Sequence, residues 1–184
     1  TSERHFTMLR FFIAACLAFL LSMSCAAAAE IYIGSGVKAG EITDRSAIVL
    51  VRLTARDDQD EEGHIPGREG EARLMYGTSE SLQGAKASEW EKNKADGDWA
   101  IHFRLNELKP ATRHYYRVEY RTGANSPAEK SETFSFLTAP PANERVPVMF
   151  HLTTCQDLNG REVYQSMAAQ KPDFCVSAGD TVYY

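Results

Sequence analysis

VPVMFHLTTCQDLNGREVYQSMAAQKPDFCVSAGDTVYY, residues 146–184, is the stretch on which the reading of the fold turns. An apolar run, Val146–Leu152, ends in Thr153-Thr154-Cys155-Gln156-Asp157, and a helical stretch follows. A second apolar run, Phe174–Ala178, ends in Gly179-Asp180-Thr181-Val182-Tyr183. Nearly continuous apolar strands joined by a helix read as a βαβ unit of a parallel sheet, buried on both faces. Ligands of open parallel sheets gather outside the carboxyl ends of the strands. Cys155, Asp180 and Tyr183 are therefore expected to converge on one small volume.

The helix between them is bounded by its own residues. Asn159 is placed to cap it, and Glu162 completes a box-like pattern three positions on. Val163, Tyr164, Met167 and Ala168 form one apolar face, and Lys171-Pro172 ends the helix. Tyr164 and Met167 read as packing residues.

The polar ends carry the chemistry. A carboxylate such as Asp180 has two oxygens and can bridge two cations. A phenolate from Tyr183 is a hard anionic ligand suited to a trivalent metal. A thiolate from Cys155 adds further negative charge, and a metal held this way can activate water and neutralise a phosphate. Each residue also has a plain reading. Cys155 fits as a small core residue, or as a disulfide partner of Cys175 after export. Asp180 fits as a turn residue after glycine, and Tyr183 as packing.

Upstream, Ala139-Pro-Pro-Ala-Asn-Glu-Arg-Val-Pro147 marks a boundary, because three prolines in nine residues stiffen a connector and bar a central strand. From Glu30 to Thr138 the pattern is β. Strands are expected at Ser46–Thr54, Ala72–Tyr76, Trp99–Leu105, His114–Tyr120 and Glu132–Thr138, separated by turn residues such as Gly63, Pro66-Gly67 and Asp96-Gly97. Short strands with regular punctuation predict an antiparallel sandwich. Within it, Leu108-Lys-Pro110 followed by a strand with tyrosines resembles the corner of a fibronectin type III-like sandwich. The position where that corner carries tyrosine is His114, so the sequence does not secure the corner's hydrogen bond. Asp58, Asp60, Glu62, Gly63 and Glu69 fall on a calcium-loop template. Pro66 interrupts that loop and strands flank it, so it reads as a solvated acidic hairpin loop.

Residues 9–29, LRFFIAACLAFLLSMSCAAAA, have the three parts of a secretory signal peptide: Arg10, an apolar core over Phe11–Met23, and small residues before Glu30. Cleavage is expected after Ala29, and Met8 is the expected start, with Thr1–Thr7 as upstream translation. The protein is thus expected in the periplasm or secreted, touching a membrane only through this leader. The 184 residues are 43% apolar, enough for one or two small domains with a real core. A net charge of −5 with scattered basic residues excludes a nucleic-acid footprint. Only Cys155 and Cys175 lie beyond the leader, which excludes a disulfide scaffold. A monomer is expected.

Thr154-Cys155-Gln156, the spacer Tyr164–Met167, Lys171-Pro172-Asp173 and Gly179-Asp180-Thr181-Val182-Tyr183-Tyr184 together resemble the alkaline phosphatase D (PhoD)-like metallophosphoesterases. The stretch from Ser35-Gly36-Val37 through Arg52-Leu53-Thr54 is similar to the domain those enzymes carry ahead of the catalytic one. The resemblance implies a signal peptide (1–29), a fibronectin III-like β-sandwich (30–139), a Pro-rich linker (140–147) and the start of an α/β metallophosphoesterase domain (148–184). It further implies that Cys155 and Tyr183 bind ferric iron (Fe3+), that Asp180 bridges iron to calcium (Ca2+), and that the substrate is a phosphate mono- or diester. Family members carry an asparagine–histidine motif and late histidines further on. His5, His64, His102, His114 and His151 form no such pair. Residues 1–184 alone are therefore expected to be inactive. The alternative is a secreted β-sandwich binding module without catalysis.

Overall fold

The computed structural model describes residues 30–155 and 161–179. The N-terminal part is a β-sandwich. One sheet has three strands in the order β1 (Val37–Gly40), β2 (Ala47–Arg52), β6 (Ala100–Leu105), all antiparallel. The other is built on β3 (Glu71–Gly77) and β7 (Arg113–Arg121). The two-residue strands β4 (Lys86–Ala87) and β5 (Glu91–Lys92) pair with β3, while β8 (Glu129–Lys130) and β9 (Phe134–Leu137) pair with β7.

Alternation decides which side chains are inside. Ala47, Val49 and Val51 of β2 and Ile101, Phe103 and Leu105 of β6 meet Ala72 and Leu74 of β3 and Tyr116 and Val118 of β7 in one core. Val49, Val51, Leu74 and Val118 are fully excluded from solvent. Each such burial contributes about 1.5–3 kcal/mol. A slip of one residue in either central strand would turn this set outward. Burial also pushes the Tyr116 phenol up to about 12.

The outer face of β3 and β7 is charged but not open. Arg73 lies opposite Glu119 in the register, and Glu71 opposite Arg121. Glu119 Oε2 accepts from Arg73 at 2.7 and 2.9 Å, its Oε1 accepts from Arg117 at 3.1 Å, and Arg121 reaches Glu71 at 2.6 Å. Directly opposed unlike charges are the stabilising cross-strand arrangement. Trp90 covers the pairs, its ring 4.8 Å from the Arg73 guanidinium and 3.9 Å from that of Arg121. Burial alone would raise the Glu119 carboxyl. The bond from Arg73 and the charges of Arg73, Arg117 and Lys130 outweigh it and hold the group below the ordinary carboxylate value.

The corner before β7 is closed by histidine. His114 is buried, its Nε2 lies 3.3 Å from the Lys109 carbonyl, and its ring stacks on Phe136 at 5.5 Å. Thr138 Oγ1 donates to the same carbonyl at 2.6 Å. The acidic loop closes as a hairpin, with Gly63 donating to the Asp60 carbonyl and His64 to Asp60 Oδ1. Ala55–Pro66 and Arg68–Leu53 backbone bonds seal its base. Beyond β9, Ala139 is held from two sides, donating to Thr43 and accepting from Ala111.

The C-terminal part is a parallel pair, β10 (Phe150–Thr153) and β11 (Phe174–Ser177), joined through helix α1 (Arg161–Ala169). The expected strand over Val146–Leu152 begins only at Phe150. Pro147 cannot donate to a ladder, and Met149 is bonded at both N and O to Asp173. Lys171 turns left-handed at φ 52 just before Pro172 and stops the helix. The capping residue expected at Asn159 lies outside the described residues. The expectation of strands buried on both faces is not met among the described residues. Leu152 is 65% exposed and Phe150 54%. A single helix covers one side of two strands only in part. Among the described residues, no helix is long and apolar enough to cross a membrane. The expected leader, residues 1–29, lies outside them.

Candidate functional site

The candidate site sits at the carboxyl end of β10 and β11. Parallel pairing sets His151 beside Cys175 and Thr153 beside Ser177. The ladder continues past the strands, with Ala178 donating to Thr153 at 2.8 Å and Cys155 to Gly179 at 3.3 Å. The turn after β10 thus lies beside the turn after β11. Cys155 is exposed and left-handed at φ 55, and Gly179 takes φ 114. Cys155 shares this conformation with seven other described non-glycine residues, Lys171 at the end of α1 among them. Gly179 supplies at low cost the conformation its turn needs. Thr154 Oγ1 donates to the Gly179 carbonyl at 3.2 Å and lies 3.4 Å from Cys155 Sγ.

Of the expected ligands, Cys155 stands at the strand end where the sequence puts it. Asp180 and Tyr183 lie outside the described residues, Asp180 following Gly179 directly in the chain. Among the described residues no group of three or more His, Cys, Asp or Glu side chains is gathered for a metal ion. A Cys155–Cys175 disulfide is excluded by register. Cys175 faces His151, four residues from Cys155 along β10, which at about 3.3 Å per residue is about 13 Å, too far to bridge.

Two residues of this segment carry features that the sequence does not show. In the sequence Thr154 is only the first residue of Thr154-Cys155-Gln156, yet its hydroxyl contacts both turns. His151 reads as a core histidine, but its Nδ1 is buried without a hydrogen-bond partner among the described residues. It borders a groove between β10 and α1 lined by Phe150, Leu152, Val163 and Met167. A buried polar atom of this kind calls for a partner.

The sequence matches the model of the PhoD-like phosphatase N-terminal domain over residues 21–140. Among solved structures, a structure of PhoD aligns with a TM-score of 0.68 at 23% identity, covering 82% of this chain and 28% of that one. The chain thus spans little more than a quarter of the length of that protein. A sensor domain of the anti-sigma factor RsgI4 from Pseudobacteroides cellulosolvens aligns at 22% identity over 62% of this chain and 98% of its own, with a TM-score of 0.41. A third fibronectin III domain of the human KIAA0343 protein aligns at 16% identity over 61% and 85%, with a TM-score of 0.34. No match was found among curated proteins.

Proposed function

The chain belongs to the PhoD-like phosphatase family, carrying its N-terminal domain, and from that membership we propose that the complete protein is an exported, metal-dependent phosphoesterase. It acts on phosphate mono- or diesters, and residues 1–184 hold the sandwich and the opening βαβ unit of its catalytic domain. The family match carries the reading. A second fact supports the catalytic part: the 82% of this chain that aligns with PhoD exceeds the share held by residues 1–139, so the likeness runs past the sandwich.

Cys155 fits as one metal donor. Its thiol is exposed, at a strand end, in a left-handed turn beside the turn that leads into Asp180. A soft anionic sulfur with a carboxylate and a phenolate suits a strongly charged metal. In this reading Cys155 and Tyr183 would hold ferric iron, and Asp180 would contribute a carboxylate to both iron and calcium. When bound, these ions supply positive charge for the phosphate and lower the pKa of water. The chain's own residues fix the geometry: the Cys155 amide and the Thr154 hydroxyl both engage Gly179 and keep the two turns together. Residues 1–184 do not turn over substrate by themselves, because a working site needs its full set of ligands and supports.

The test is hydrolysis of aryl phosphate mono- and diesters by the complete protein and by Cys155→Ala, Asp180→Asn and Tyr183→Phe, with metal analysis of each. Loss of metal and rate in all three supports the reading. Unchanged activity in all three would sink it and leave a sandwich binding module.

A further inference from the structure

The outer face of the sheet built on β3 and β7 carries an excess of positive charge. Register puts Arg73, Arg117 and Arg121 on it, together with Glu71 and Glu119. Lys92 of β5 stands opposite Glu71, Lys130 of β8 stands opposite Glu119, and Arg113 opens β7 on the same side. Glu91 and Glu129 pair with Ala72 and Tyr120, which face the core, so they fall on the other side. Six cations thus stand against two carboxylates on this face, in a chain whose net charge is −5. The carboxylates are also set deeper. The side chains of Glu71 and Glu119 are each 7% exposed, against 34% for Arg73 and 27% for Arg117. Arg113 is exposed and donates to Ser135 at 3.1 Å. Arg117 Nε is buried without a hydrogen-bond partner among the described residues, so the Arg117 charge is met from the Glu119 side.

We propose that this face is a docking surface for an acidic protein segment, whose Asp and Glu carboxylates pair with Arg73, Arg113 and Arg117. Charge complementarity carries the assignment. The planar fork of a guanidinium matches a carboxylate with two parallel bonds. Arg73 and Arg121 are already fixed by their ion pairs and by the Trp90 ring, and groups fixed beforehand lose little freedom on binding. An anionic bilayer is the other polyanion such a face could meet, and it is served by long cations that reach out from the surface. Here the paired guanidiniums lie low on the sheet, where a carboxylate on a partner's side chain can enter and a flat layer of headgroups cannot.

The experiment titrates the complete protein against a labelled oligoglutamate peptide, an oligoglutamine peptide and phosphatidylglycerol vesicles. Wild type is compared with Arg113→Gln, Arg117→Gln and Lys38→Gln, with the thermal midpoint as a check on folding. Lys38 is exposed on β1 of the other sheet, so its replacement makes the same change in net charge away from the face. Oligoglutamate is expected to bind, more weakly as salt is raised, and oligoglutamine not to bind. Arg113→Gln and Arg117→Gln are each expected to weaken oligoglutamate about 10-fold or more, and Lys38→Gln to leave it unchanged. Arg113 carries no ion pair among the described residues, so Arg113→Gln keeps the test open if Arg117→Gln does not fold. Absence of oligoglutamate binding at low salt would overturn the assignment. A loss in Lys38→Gln equal to that in the arginine variants would reduce it to net charge. Binding of the vesicles in preference to oligoglutamate would make the face a membrane surface and remove the acidic segment as its partner.

Discussion

His114 Nε2 reaches the Lys109 carbonyl at 3.3 Å, so a histidine closes the corner that sandwiches of this kind close with tyrosine. The acceptor is a carbonyl, so Nε2 carries the proton. The ring also packs on Phe136. His114→Ala removes the bond and opens a cavity, and should cost about 2–3 kcal/mol in urea unfolding. His114→Phe, which keeps the stacking, should cost less. Equal losses for the two would show that the ring's packing contributes nothing, and an unchanged His114→Phe would show that the bond contributes nothing.

Glu119 should make the sandwich acid-sensitive. Its folded carboxyl is held below the ordinary value by Arg73 and Arg117 against the opposing effect of burial. The stability it contributes is present above the unfolded value, near 4.3, and is lost as pH falls through the lowered folded value. Glu119→Gln should flatten that part of the pH–stability curve and lower stability at pH 7 by about 2 kcal/mol. A curve of unchanged slope would exclude this carboxylate as the cause.

Tyr116 gives the alkaline counterpart. Its phenol titrates at about 12 in the fold, against an ordinary value of 10.0. The unfolded chain therefore ionises first. Stability should fall by roughly 2–3 kcal/mol as pH rises from 10 toward 12. Tyr116→Phe should remove that loss, and absorbance titration should lose its last-titrating phenol in that variant. A Tyr116→Phe curve that still falls as steeply would assign the loss elsewhere.

Gly67→Ala should displace Trp99. A Cβ at position 67 would stand 1.7 Å from Trp99 Cδ1, far inside contact distance. Trp99 is also left-handed at φ 61 and follows Asp98 at φ 51, so it has little backbone freedom to yield. In a Trp90→Phe background, the remaining indole emission should move to the red and stability should drop by about 1–3 kcal/mol. Unchanged emission would mean that the loop shifts as a body.

The β10–α1–β11 unit should be adhesive when presented without further chain. Phe150, Leu152, Phe174 and Val176 are each more than a third exposed. Residues 30–184 should bind a hydrophobic dye and self-associate in sedimentation, whereas residues 30–139 should do neither. Monomeric, dye-silent behaviour of both would contradict the exposure seen here.

The sandwich was legible because period-two alternation and turn residues agree in β2, β3, β6 and β7. Strand ends shifted by only a residue or two at Ala47–Arg52 and Glu71–Gly77. The two-residue strands β4, β5 and β8 were not legible, since no periodicity exists over two residues. Val146–Leu152 misled because apolar content marks a candidate strand but not where its partner begins. At the site, Cys155 stood out by residue type and position. Thr154 did not, because a hydroxyl's role depends on what lies across the sheet, and Gly179 is 25 residues away.

Every residue of the sandwich core lies between Ile31 and Phe136, and the exit at Ala139 is anchored by bonds to Ala111 and Thr43. The domain therefore needs nothing from downstream to close. During synthesis it can finish folding while later residues are still being added, in the order in which domains generally mature. The apolar strands that follow then emerge tethered to a finished body rather than to a collapsing chain. Their exposed apolar faces then meet upstream strands that are already paired and out of reach.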